Sequence, residues 1–142
     1  MSLCFTARAR RPSENMPKKI EYRETDEFQK DFRRLAKRFR SLSDDLETAK
    51  QNAIELFHLR DIDNRSVFPI PDFCSEKVAI CKLKKFACKS LKGRGVQSGI
   101  RIIYAFYKEK CIVECIEIYF KGDQAVEDKE RIKRYMCGAF GL

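Results

Sequence analysis

Residues 77–121 read KVAICKLKKFACKSLKGRGVQSGIRIIYAFYKEKCIVECIEIYFK, and this stretch decides the fold. Three runs in it have strand character. Residues 78–86 alternate: Val78, Ile80, Lys82, Lys84 and Phe86 share one face, and Ala79, Cys81, Leu83 and Lys85 the other. Residues 100–107 are apolar on both faces except for Arg101, the pattern of a central strand. Residues 111–121 form the next run, and the short turn Lys108-Glu109-Lys110 makes these last two antiparallel neighbours. Between positions 77 and 101 stand eight Lys or Arg and no Asp or Glu. So one-sided a charge marks a sheet that presents a phosphate-binding surface.

Working outward, residues 19–23 alternate as a short first strand. Thr25 caps a helix, with Asp26 and Glu27 at the positive end of its dipole. Phe28, Phe32, Leu35, Ala36 and Phe39 give that helix one apolar face. The cations on its other faces, Lys30 to Arg40, read as a solvated surface. Ser43 caps a second helix, with Leu46, Ala49, Ala53 and Leu56 or Phe57 as its stripe, so the two helices form a hairpin over one sheet face. Residues 58–76 are irregular, and Pro69 and Pro71 deny residues 68–73 a central place in the ladder. Asp123 caps a last helix over 124–136, which Val126, Ile132 and Tyr135 dock on the body, and residues 137–142 form a frayed tail. The expectation is one α+β domain over 18–137, preceded by a disordered basic tail, 1–17. Its sheet is small and antiparallel, of three to four strands, with an N-terminal helical hairpin and a C-terminal helix.

The net charge is +9 in 142 residues. Residues 1–19 carry +4 and residues 77–101 carry +8, which leaves −3 for the rest. A positive field gathered in this way selects for nucleic acid, an anionic membrane or an acidic protein partner. No apolar run nears the ~18 residues of a membrane span, and the N-terminus lacks the apolar core of a secretory signal. The seven cysteines are odd in number and contain no CxxC pair, which fits reduced thiols in a cytoplasmic setting better than a disulfide framework. With a single histidine, His58, and no zinc-ligand spacing, neither metal nor cofactor is expected. For His58, near a helix C-terminus, capping is the favoured role over catalysis.

Arg101 is the sharpest residue. A guanidinium inside an apolar strand needs a partner, either a phosphate or a carboxylate, and Glu117 on the neighbouring strand is the structural candidate. Both readings stand at this point. If the sheet gathers Lys82, Lys84, Arg101, Tyr119 and Lys121, the cluster can hold a phosphodiester and stabilise its pentacoordinate transition state. RNA brings its own 2′-hydroxyl nucleophile, so the protein needs a base, an acid and electrostatic stabilisation. A lysine among other cations has a lowered pKa and suits the role of base. Binding an acidic partner without chemistry explains the same lysines equally well. Lys85, Lys89, Lys92 and Arg94 are expected to grip a nucleic-acid backbone or an acidic protein. P-loop, GxGxxG and GxSxG motifs are absent.

These strings resemble the RelE/ParE toxin superfamily of bacterial toxin–antitoxin systems. The order of elements is similar, Phe68-Pro69-Ile70-Pro71 looks like the proline-containing segment ahead of its second strand, and Ser98-Gly99-Ile100-Arg101-Ile102-Ile103-Tyr104 looks like its S-G-x-R-[VIL]-[IV]-Y signature. The run from Ile116 to Asp123 resembles its closing strand. The resemblance covers roughly residues 20–136. It implies a RelE-like, metal-independent and ribosome-dependent mRNA endonuclease, neutralised by an antitoxin whose acidic segment covers the basic face. Carried over, Arg101 matches the arginine on the scissile phosphate, Lys82 and Lys84 the second-strand lysines, and Lys121 the basic residue after the last strand. The family's C-terminal tyrosine has only Tyr135 as a loose counterpart, and the loop 87–98 is longer than in the type member. ParE-type members, with the same fold, imply the alternative of gyrase inhibition without nuclease chemistry, and a non-toxic basic interaction domain is the third reading.

Overall fold

In the computed structural model, which describes residues 19–93, 95 and 97–140, a five-stranded mixed sheet carries helices on both faces. The elements are β1 (Glu21–Glu24), α1 (Asp26–Arg38), α2 (Leu42–Ala49), a π-helical turn (Lys50–Ile54), α3 (Glu55–Arg60), β2 (Val67–Pro69), β3 (Val78–Leu83), β4 (Ile100–Tyr107), β5 (Ile112–Phe120) and α4 (Lys129–Phe140). A 3-10 turn, Pro71–Phe73, lies between β2 and β3. The strand order is β1-β5-β4-β3-β2, with β1 parallel to β5 and every other pair antiparallel.

An α+β architecture is therefore present, but the expectation of three to four antiparallel strands is corrected. The chain leaves β1 through α1, α2, the π-helical turn and α3 and returns at the far edge, so β1 meets its partner only across most of the sequence. The prolines place β2 where proline is tolerated, at the sheet edge, with Phe68 opposite Lys82.

β4 sits at the centre because both of its faces are apolar. Ile100, Ile102, Tyr104 and Phe106 join a core with Phe28, Leu35, Leu46 and Ile54 from the N-terminal helices. Ile103 and Ala105 face the opposite way, with Ile116 and Tyr119 of β5 and against Ile132 of α4. Phe28, Ile102 and Ile103 are completely buried. Each such side chain contributes roughly 1.5–3 kcal/mol of transfer free energy.

Three helix ends differ from the reading above. Thr25 caps α1 as expected, its Oγ1 accepting from the Phe28 amide at 3.1 Å. α2, however, begins after Ser41, and Ser43 lies inside it. The Ser41 hydroxyl donates to Asp45 at 2.6 Å, and buried Asp45 also accepts the Lys89 amide at 2.9 Å, so the hairpin corner anchors the β3–β4 loop. α4 starts at Lys129, where the Asp128 carboxylate accepts the Arg131 amide at 3.1 Å. Asp123 pairs instead with Arg38. The helix continues through Phe140, so residues 137–140 are not a frayed tail. The expected tail, 1–17, and residues 141–142 lie outside the described residues.

β1 pairs with β5 only as far as Cys115, which leaves the carbonyl of Ile116 to be satisfied elsewhere. Arg131 donates to it at 3.2 Å and to buried Asp31 of α1 at 2.6 Å, tying α4 to α1 across that open edge. Arg131 Nε lies 3.2 Å from Glu27, though not at a hydrogen-bonding angle. The six described cysteines are free thiols, and burial pushes Cys81 and Cys115 up to about 12. Among the described residues no helix is long and apolar enough to cross a membrane.

Candidate functional site

A cleft of about 750 Å³ opens at one end of the sheet, where β3 stops, β4 starts and β5 ends. It is lined by Arg65, Phe68, Lys84, Lys85, Gln97, Ser98, Gly99, Arg101, Phe120, Lys121 and Gly122. Five of these are cations and none is acidic. Among the described residues, none of the five forms an ion pair with a carboxylate. Mutual repulsion of this kind is tolerated at a surface when solvent or an anionic ligand supplies the counter-charge.

Local backbone chemistry builds the cleft. The strand β3 ends at Leu83, and the Lys84 amide donates to the Ser66 carbonyl at 2.8 Å, one rung beyond the last β2–β3 pair, which sets Lys84 and Lys85 at the end of the strand. Ser98 is buried and bonds the Phe86 carbonyl, closing the loop. Gly99 follows in the left-handed region at φ +88°, and its carbonyl accepts the Lys121 amide at 2.8 Å. The Phe120 ring rests between two glycines: a Cβ on Gly99 would lie 3.3 Å from it, and one on Gly122 only 2.6 Å. Side chains at these two positions would push the ring and close the floor of the cleft.

Arg101 is half-buried, and its guanidinium donates to the Lys84 carbonyl. It does not pair with Glu117. That carboxylate is buried and accepts from Gln124 at 2.8 Å and from the Asp128 amide at 3.0 Å; burial raises its pKa above the usual range, against those two bonds. Of the two partners considered for Arg101, the carboxylate is thus held by other groups.

The expected five-residue cluster is split. Lys84, Arg101 and Lys121 line the cleft together with Lys85. Lys82 does not. Its ammonium is 2.8 Å from Glu127, both side chains being largely buried, and lies 5.9 Å from the centre of the Tyr119 ring. Burial disfavours the charged form of Lys82, but Glu127 and Tyr119 outweigh it, so Lys82 titrates above an ordinary lysine. The lowered pKa expected of a lysine among cations is therefore not found at Lys82, because its nearest charge is negative. Tyr119 is buried, burial raises its phenol, and its hydroxyl has no hydrogen bond of good geometry, although Lys82 is close enough to affect its titration. Lys89 and Lys92 are exposed and stand outside the cleft lining, and Arg94 lies outside the described residues. Tyr135 donates to Glu114 at 2.6 Å and bonds Tyr107; burial and Glu114 raise its phenol, and it too is absent from the cleft. Among the described residues no group of three His, Cys, Asp or Glu is placed to hold a metal ion.

Sequence reasoning missed Arg65 and Phe68, which reach the cleft from the irregular segment before β3. Arg65 sits in the left-handed region at φ 63°, held there as the Asp63 carboxylate accepts its amide at 2.8 Å and the Asn64 side chain accepts that of Ser66 at 3.2 Å. The Asp-Asn turn chemistry was the available signal. A non-glycine residue in this conformation carries roughly 1 kcal/mol of strain. Arg65→Gly relieves it while adding a similar amount of unfolded-chain freedom. The expected result is an unchanged melting temperature, with oligonucleotide binding whose salt slope falls by about 1. Thermal melts and fluorescence anisotropy at several salt concentrations check both.

Comparison with known proteins gives no match: no family model, no curated protein and no solved structure is similar to this chain at a significant level.

Proposed function

We propose that the chain is a RelE-like toxin that cleaves mRNA, with the cleft as its phosphodiester site. The observation that carries this reading is a set of five cations around one cleft with no carboxylate in its lining among the described residues. In this mechanism Arg101, Lys121 and Arg65 hold the phosphate and the added charge of its pentacoordinate state. Lys84 is the base in the cleft, taking the proton of the 2′-hydroxyl as that oxygen attacks phosphorus. The bond to the 5′-oxygen breaks, that oxygen takes a proton from a neighbouring ammonium, and a 2′,3′-cyclic phosphate remains. The expected partners are the ribosome and an antitoxin with an acidic segment that occupies the same cleft.

One observation favours the second reading, a ParE-like gyrase inhibitor without nuclease chemistry: among the described residues no histidine, tyrosine or carboxylate lines the cleft. Induced expression in a bacterial host, followed by mapping of mRNA ends, separates the two. The first reading expects growth arrest with new mRNA ends in phase with codons. Intact mRNA with blocked replication supports gyrase inhibition and overturns it. Unimpeded growth overturns both and leaves a non-toxic basic domain.

A further inference from the structure

We propose that Phe68 is a stacking platform for a nucleobase, so that the cleft selects a single-stranded nucleic acid by its bases as well as its phosphates. The inference rests on the reading of the cleft as a phosphodiester site and adds a specificity-determining residue to it.

Among the described residues, Phe68 is one of the few large apolar side chains that the fold leaves exposed, at 39% of its surface. Its place is not accidental in chemical terms. It lies on the strand β2, with no further strand beyond it among the described residues, and it lines the cleft beside Lys84 and Arg101. The backbone there is fixed by pairing with β3 and by Pro69, so the ring is presented from a rigid base. The Lys84 ammonium stands 4.5 Å from the centre of the ring, which couples the aromatic group to a cation that faces the phosphate. An aromatic face next to a row of cations is the combination that binds unpaired nucleotides, since the cations track the backbone and each base offers a π surface. A free phosphate or an acidic peptide needs the cations alone. A duplex buries its base faces and presents none to the ring.

The test uses the full chain and three labelled probes of equal length. One is a single-stranded 2′-deoxy oligonucleotide, which lacks the nucleophile and is not cut; the second is its abasic counterpart; the third is the duplex. Anisotropy titrations are run on the wild type, Phe68→Leu, Phe68→Trp and Arg101→Ala. Phe68→Leu keeps an apolar cover beside Lys84 and removes only the ring. The wild type is expected to prefer the base-bearing strand to the abasic one by about 5–10-fold. Phe68→Leu is expected to lose that preference with abasic affinity unchanged, and Phe68→Trp to keep or enlarge it. An undiminished preference in Phe68→Leu overturns the proposal. So does an equal loss on both strands, which would mean that the ring only positions Lys84. If Phe68→Leu fails to fold, as read by circular dichroism, retention of the preference in Phe68→Trp and its absence in Phe68→Met decide in the same way. Failure of the wild type to bind any probe, or an Arg101→Ala variant that binds as the wild type does, overturns the phosphodiester reading itself and is distinct from failure at Phe68.

Discussion

Arg101→Ala is expected to lower the rate of RNA cleavage by about 10²–10³-fold, the size of effect seen when one donor to a developing oxyanion is removed. The only bond of Arg101 within the described residues goes to the Lys84 carbonyl, and the residue lines the cleft. Among the described residues no carboxylate neutralises it, and Glu117, the candidate on the neighbouring strand, is engaged by Gln124 and the Asp128 amide. Loss of the side chain removes a charge-assisted contact to phosphate, so affinity for a single-stranded oligonucleotide also falls, by about 10-fold or more. Folding changes little, because the Lys84 carbonyl loses one bond worth about 1 kcal/mol at a site open to water. Arg101→Lys restores much of the affinity and little of the rate, since an ammonium carries the charge without the planar fork. Single-turnover cleavage and anisotropy on the three proteins check this. Cleavage by Arg101→Ala at the wild-type rate would sink the assignment.

Acidification is expected to destabilise the fold through His58, by up to about 2–3 kcal/mol between pH 6.5 and pH 4. The ring of His58 stacks on Phe106 at 4.0 Å between centres, meets Phe57 edge-on, and has Nε2 2.8 Å from the Tyr104 hydroxyl. This is not the helix capping expected from its position near the end of α3. Burial among these rings penalises the imidazolium and pushes the pKa down to about 4. The folded protein then binds a proton less readily than the unfolded chain, whose histidine titrates near 6.5. The contribution is complete above pH 6.5 and is lost as pH falls towards 4, below which both states are protonated. Urea unfolding at pH 7, 5.5 and 4.5 measures it. His58→Phe is expected to cost about 1 kcal/mol at pH 7 through the lost bond to Tyr104 and to flatten the dependence over that window. An equally steep dependence in His58→Phe would assign the effect to other groups.

The central strand, the helical hairpin and the Thr25 cap were legible because each rests on a local signal. A run of eight residues apolar but for Arg101, an i, i+3, i+4 stripe and a capping hydroxyl act over a few residues, whatever the rest of the chain does. The later start of α4 was not legible, since Asp123 and Asp128 are equal as caps until Arg38 takes the first of them. The strand count failed for the same reason: the partner of β1 is more than eighty residues away in the chain, and nothing local in residues 21–24 specifies it.

The candidate site divides along the same line. Residue order alone shows that positions 77–101 carry cations without acids, that Arg101 stands alone in an apolar strand, and that the chain is rich enough in apolar runs to fold around that strand. Which cations share a cleft emerges on folding. Side chains two apart in a strand share a face only while the strand lasts; β3 stops at Leu83, so Lys82 stays on the sheet beside Glu127 while Lys84 turns into the cleft. Arg65 and Phe68 arrive there from another segment through β2–β3 pairing. Charge type is written residue by residue, but charge neighbourhood depends on which distant backbone closes the sheet.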